Sequence, residues 1–169
     1  MSRDVPRVYF DTSVYVCMML GPDQPNGDSY EASLIALESA QQGRSEGVVS
    51  ALVVAEVVGA PALRAPQGLP AEEARRRMAV ALEYFERTDF RFIEAARRDG
   101  MRAAAIAREF DMKGADALRV ALAQAGGSSS LFTLDHDQSK VGERIEGLRI
   151  ITPTGEAQAI IDIGPSGNS

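Results

Sequence analysis

Asp11, Glu56, Asp116 and Asp135 stand on separate apolar runs: Asp11 closes RVYFD, Glu56 interrupts VVSALVVAEVV, Asp116 lies at the start of GADALRVALA, and Asp135 follows SLFTL. A carboxylate at the edge of a buried segment is unfavourable unless it is paired or binds a cation. No lysine or arginine is adjacent to any of these positions. The set suggests carboxylates converging on a hard metal ion. Each residue also has a plainer reading. Asp116 could be a helix N-cap, which Asp favours. Asp11 could be a turn residue, and Asp135 with Asp137 an ordinary turn. Glu56 resists such a reading, because its apolar run offers no obvious solvated face.

Other chemistries fit poorly. A haloacid-dehalogenase phosphatase needs a second Asp two residues after the first, where this chain has Ser13. A metal-ion-dependent adhesion site needs Asp-x-Ser-x-Ser, and Tyr15 breaks that pattern. Neither a phosphate-binding P-loop nor a dinucleotide-binding glycine fingerprint is present. One cysteine and one histidine are too few for a zinc site of the usual nitrogen and sulfur type.

The elements that must position these residues read as alternating strands and helices. Strands are expected at 8–10, 47–50, 90–93, 131–134 and 148–152. Helices are expected at 13–20, 29–42, 51–58, 71–87, 95–110 and 115–125. Asp28 and Glu31 resemble a capping box for the second helix. In the fourth, Met78, Leu82 and Phe85 recur at helical spacing. In the last, Leu118, Leu122 and Ala125 are expected to share a face, and Gly126 and Gly127 to end it. Residues 21–28 and 60–70 are dense in turn formers and read as loops. This alternation predicts an α/β sandwich with a mainly parallel central sheet, whose sites form at the carboxyl ends of strands. Asp11 and Asp135 fall at such ends.

Four segments in order carry a resemblance to a known family. YFDTSV supplies an Asp followed by Thr-Ser, SALVVAEVV a Glu within a helix, KGADALRVALA an Asp-Ala helix start, and LFTLDHD a Thr-x-Asp-x-Asp strand end. Together, from about Val8 to Thr152, they resemble the PIN domain, a family of metal-dependent ribonucleases that includes the VapC toxins of prokaryotic toxin–antitoxin pairs. Two features depart from the pattern. Gln138 stands where an aromatic often follows the last motif, and extra length lies around residues 60–72 and at the C-terminus.

The resemblance implies a three-layer α/β/α sandwich and a divalent-metal-dependent endoribonuclease that hydrolyses RNA phosphodiester bonds. It implies the toxin of a type II pair, held by a cognate antitoxin and homodimeric. Alternatives are an RNA-processing nuclease without an antitoxin, and a catalytically idle module for binding RNA or protein. Magnesium or manganese would be the cofactor, since both favour carboxylate and water oxygens. Asp11 and Asp116 would be its most direct ligands, with Glu56 and Asp135 completing the site directly or through water. Thr12, Ser13 and Thr133 could orient those carboxylates or bound water, or could cap helices. Asp137 is an auxiliary candidate or a surface turn, and His136 between the acids reads as a bystander. Arg102, Arg108, Lys113 and Arg119 could hold RNA phosphates, or could form a solvated helix face.

Composition is consistent with this. The chain has 169 residues, 45% apolar and 25% charged, enough for one domain with a real core. Residues 1–163 are expected to form that domain and 164–169 a disordered tail. A net charge of −6 argues against broad attraction to nucleic acid or anionic membrane, so RNA would need a local basic patch or a metal. Cys17 alone permits no intrachain disulfide, which suits a reducing cytoplasm, and it reads as a small buried hydrophobe. No run reaches the ~20 apolar residues of a membrane span, and MSRDVPRV lacks the apolar stretch of a secretory signal.

Overall fold

Parallel strands buried on both faces read as continuous apolar runs rather than alternating ones. Val8, Tyr9 and Phe10 are all fully buried, and their strand is the centre of the sheet. The structure, a computed structural model, describes residues 5–23, 27–64, 68–141 and 144–153. The strands are β1 (Arg7–Phe10), β2 (Glu46–Ser50), β3 (Arg91–Ile93), β4 (Ser130–Phe132) and β5 (Arg149–Ile151), in the order β3-β2-β1-β4-β5. Every neighbouring pair is parallel: Tyr9 sits opposite Val48 and Leu131, Val49 opposite Phe92, and Leu131 opposite Ile150. The expectation of a mainly parallel sheet becomes, among the described strands, a wholly parallel one.

The helices are α1 (Thr12–Leu20), α2 (Gly27–Gln41), α3 (Ala51–Val58), α4 (Pro61–Arg64), α5 (Ala71–Arg87), α6 (Arg97–Phe110), α7 (Gly114–Ala125) and α8 (His136–Val141). Helix α1 packs on α2 and α3, α3 and α4 pack on α5, and α6 packs on α7. The result is a PIN-like α/β/α sandwich. Chain order places β2 and β3 on one side of β1, and β4 and β5 on the other. That reversal falls at β1, and the carboxyl end of such a strand is the usual place for a site in an open α/β sheet.

Several expectations change in detail. The loop expected at 60–70 contains α4, which opens on Pro61, a favoured first helical residue. Helix α8 begins after a three-residue connection from β4 and was not expected from apolar periodicity, because HDQSKV has almost none. In α5 the buried residues are Ala74, Ala81 and Phe85, while Leu82 is exposed. In α7 they are Ala117 and Val120 through Ala123, while Ala125 faces out. Leu122 and Phe85 are buried as expected, but alanines share the inner faces with them, and Leu82 and Ala125 do not. Cys17 is half-buried rather than buried. The Asp28 side chain and residues 164–169 lie outside the described residues, so the capping box and the tail do too.

Phe90 sits directly over β2. A Cβ added at Gly47 would lie 2.6 Å from Phe90 Cδ1 and 2.9 Å from its Cγ. Both atoms belong to the stiff part of a ring stacked on Phe10, with centroids 6.0 Å apart. Gly47→Ala is therefore expected to destabilise the fold by about 1–3 kcal/mol through overpacking. Urea unfolding measures this, and coincident midpoints for wild type and variant would refute the close approach.

Candidate active site

Asp11 is the residue immediately after β1, and its backbone N–H donates to Phe132 O on β4 at 2.8 Å. This bond carries the β1–β4 pairing one step further and fixes where the carboxylate leaves the sheet. Asp11 is only 3% exposed. Its Oδ2 accepts from Ser13 Oγ at 2.8 Å and from Thr133 Oγ1 at 2.9 Å. The same two hydroxyls accept backbone N–H groups from the next loop: Leu134 N donates to Ser13 Oγ at 2.9 Å, and Asp135 N to Thr133 Oγ1 at 3.0 Å. Two short polar side chains thus tie the end of β1 to the end of β4 and orient one carboxylate oxygen.

The other oxygen is different. Asp11 Oδ1 is buried and accepts no aligned hydrogen bond. Arg119 Nε lies 2.9 Å away, but its N–H is directed at Glu56 Oε2, 3.2 Å off. Asp11 Oδ1 is therefore held by charge alone.

Glu56 reaches this place from α3, whose start is set by Ser50 accepting from Val53 N at 3.4 Å. Ser50 Oγ also bonds Tyr9 Oη at 2.7 Å. Glu56 Oε2 accepts from Thr12 Oγ1 at 2.6 Å. Arg119 Nη2 donates to both Glu56 oxygens at 2.8 Å. Asp116 arrives on the first turn of α7 and takes Arg119 Nη1 at 2.5 Å. Asp11, Glu56 and Asp116 therefore converge on one guanidinium that is only 13% exposed.

Asp135 is near enough for its charge to act on Asp116, but it also starts α8. Its Oδ1 accepts from Asp137 N at 2.8 Å and Gln138 N at 3.4 Å. Asp137 is 89% exposed and pairs with Lys140, and the structure does not bring it to the cluster. His136 is exposed as well. Arg108 and Lys113 are exposed on α6 and beside α7, and Arg102 Nε donates to Gln124 Oε1 at 3.3 Å. Arg119 does not join these residues on the outer face. Its position among the carboxylates was missed in sequence, yet the signal was present: three residues after Asp116 on a helix is the neighbouring turn. Gln138 is buried, and its Nε2 donates to Asp116 O at 3.4 Å. It links α8 to α7 at the place of the missing aromatic.

The four carboxylates, when ionised, carry four negative charges against one on Arg119, a surplus of three. Burial pushes the Asp116 carboxyl above the ordinary carboxylate range; Asp135 and Asp11 add to the rise, and Arg119 and Lys113 oppose it. Burial acts to lower the Arg119 pKa, but Asp11, Glu56 and Asp116 outweigh it and the guanidinium is held more firmly charged. Because the folded pKa of Asp116 is raised, its ionised form is a liability to the fold. That contribution worsens as pH rises through the window above its ordinary value of 3.8. In metal-free protein Asp116→Asn is expected to melt no lower than wild type. Added manganese should raise the wild-type melting temperature and move the variant far less. Equal manganese shifts in the two thermal melts would show that Asp116 is not a ligand.

The donor set fits a hard divalent cation: oxygen ligands, surplus negative charge and one buried carboxylate oxygen without an aligned donor. Among the described residues no group of three or more His, Cys, Asp or Glu side chains is already spaced to hold an ion. The guanidinium lies between the carboxylates instead.

Comparisons with known proteins agree with this geometry. The family model described as PIN domain matches residues 8–144. The fold is similar to that of VapC20 from Mycobacterium tuberculosis, a toxin that cleaves the sarcin-ricin loop: TM-score 0.60, 16% identity, covering 80% of this chain and 95% of that one. It is also similar to a chain of a toxin–antitoxin complex from Klebsiella pneumoniae: TM-score 0.55, 23% identity, covering 86% of this chain and 97% of that one. No curated protein sequence matches the chain.

Proposed function

The chain belongs to the PIN domain family, and from that premise we propose that it is a magnesium- or manganese-dependent endoribonuclease acting as the toxin of a toxin–antitoxin pair. The observation that carries the reading is the convergence of Asp11, Glu56 and Asp116 at the carboxyl end of β1. Asp11, Asp116 and Glu56 would hold the ion, with Asp135 contributing directly or through water. When bound, such an ion supplies polarisation of the scissile phosphate and a bound water of lowered pKa.

The chain's own residues do the rest. Ser13 and Thr133 fix the Asp11 carboxylate by occupying Oδ2, which leaves Oδ1 turned into the crevice. Thr12 fixes Glu56 in the same way. Arg102, Arg108 and Lys113, on or beside the α6–α7 pair that carries Asp116, offer charge to RNA phosphates. They provide the local basic surface that a chain of net charge −6 needs.

The toxin assignment is supported by the family match and by likeness to one toxin and to a chain of a toxin–antitoxin complex. An antitoxin helix would find a surface in the groove lined by Met18, Met19, Leu20, Leu63, Val80 and Tyr84, about 420 Å³ in volume. Apolar walls with a charged rim suit an amphipathic helix. Among the described residues no helix is long and apolar enough to cross a membrane, and a toxin that cuts cellular RNA would work in the cytoplasm. By the same family resemblance the toxin would act as a homodimer.

The test has two arms. Purified protein should cleave single-stranded RNA with magnesium or manganese, and EDTA should abolish cleavage. Expression alone should arrest bacterial growth, and co-expression of the neighbouring gene product should restore it. Cleavage that persists in EDTA sinks the metal reading. Metal-dependent cleavage with unimpaired growth favours an RNA-processing nuclease without an antitoxin.

A further inference from the structure

Resting on the metal-site reading above, the geometry points to a second role within the same cluster: we propose that Arg119 is a built-in competitor of the divalent cation. It would occupy the ligand oxygens in the metal-free protein and be displaced as the ion binds.

The argument follows the oxygen lone pairs. Asp11 Oδ2 is committed to the Ser13 and Thr133 hydroxyls. The oxygen of Asp11 left for any cation is Oδ1, and Arg119 Nε stands 2.9 Å from it. Glu56 gives Oε1 to Arg119 Nη2 at 2.8 Å, and Oε2 to Thr12, Arg119 Nη2 and Arg119 Nε. Asp116 gives Oδ1 to Nη1. A planar guanidinium with a fixed fork of donors is thereby matched on three sides. A divalent ion held by these residues needs the same oxygens at about 2.0–2.2 Å, closer than any of these nitrogens stands.

The guanidinium cannot leave by losing its proton, since arginine stays charged in proteins. A divalent ion beside it would meet a like charge at close range and would find its ligand oxygens already taken. The remaining way to admit the ion is for the side chain to move. Arg119 and Asp116 lie on adjacent turns of α7, so the same helix supplies a ligand and the group that blocks it. Without metal the arrangement is useful: the guanidinium offsets repulsion among carboxylates that would otherwise push the end of β1, α3 and α7 apart.

The experiment is manganese titration of the purified full chain by isothermal calorimetry at fixed ionic strength, for wild type, Arg119→Gln and Arg119→Lys. Removing the competitor should tighten manganese binding by about tenfold or more in Arg119→Gln, with Arg119→Lys between. Equal or weaker binding in Arg119→Gln, with wild type binding normally, overturns the competitor role and makes Arg119 a structural strut. No manganese binding by any of the three proteins overturns the metal-site reading and this inference with it. A measurement on wild type does not depend on the variants being stable. The Arg119 Nε–H resonance should be sharp and protected without metal, and should shift or broaden as magnesium chloride is added. An unchanged resonance at saturating magnesium would overturn the proposal.

Discussion

Asp11→Asn is expected to lower RNA cleavage by about a hundredfold or more, the order of loss when one charge-stabilising group is removed from a dry site. The substitution keeps the shape of the side chain and removes its charge. The amide oxygen can still accept from Ser13 and Thr133, so the tie between β1 and β4 survives. What changes is the atom turned into the crevice: an NH2 there would face Arg119 and would repel, not bind, a metal ion. The fold should persist, because one fewer carboxylate also means less repulsion at Glu56 and Asp116. The measurement is the initial rate of single-stranded RNA cleavage with manganese, beside a far-ultraviolet circular dichroism spectrum. Activity within threefold of wild type, with a native spectrum, would remove Asp11 from the chemistry.

Phe10→Ala is expected to cost about 3–5 kcal/mol of stability, the range for deleting a fully buried aromatic. Phe10 is 0% exposed. Its ring lies 6.1 Å from Tyr15, 6.0 Å from Phe90 and 5.6 Å from Phe132, centroid to centroid. It therefore joins β1, the start of α1, the approach to β3 and the end of β4. Small domains are stable by only about 5–15 kcal/mol, so this loss is a large share of the whole. Phe92→Ala is the control. Phe92 is 52% exposed on the edge strand β3, and the change should stay within about 0.5 kcal/mol. Urea unfolding of both variants decides the matter. Similar midpoint shifts would mean that the cluster around Phe10 does not anchor the sheet.

Much of this architecture was legible in the chain because parallel strands declare themselves. VYF, GVVS and SLF are short, apolar and rich in β-formers, and each is followed by a residue that starts a helix or a turn. The position of Asp11 at a strand end follows directly from those runs, whereas β4 stops at Phe132, short of the expected Leu134, so that Thr133 and not Asp135 stands at its end. What was not legible depends on small or polar residues. HDQSKV forms α8 because Asp135 caps it, not because of any apolar stripe. The buried faces of α5 and α7 turn on alanines, which carry little periodic signal. The convergence of Arg119 on three acids from the end of β1, α3 and α7 is a property of tertiary packing. Only its spacing from Asp116 was local, and that spacing pointed equally well to a solvated helix face.

The two ends of the Asp11–Thr133 bond are 122 residues apart, and β1 is paired on one side by a strand that comes late in the chain. During synthesis at about 5–20 residues per second, Thr133 emerges roughly 6–24 s after Asp11. Until then the central strand lacks a neighbour, and the Asp11 carboxylate lacks a hydroxyl that aims it. A nascent chain thus carries Asp11 and Glu56 past the ribosome before the crevice that would use them exists. Any activity that depends on that crevice must wait until β4 has emerged and paired with β1.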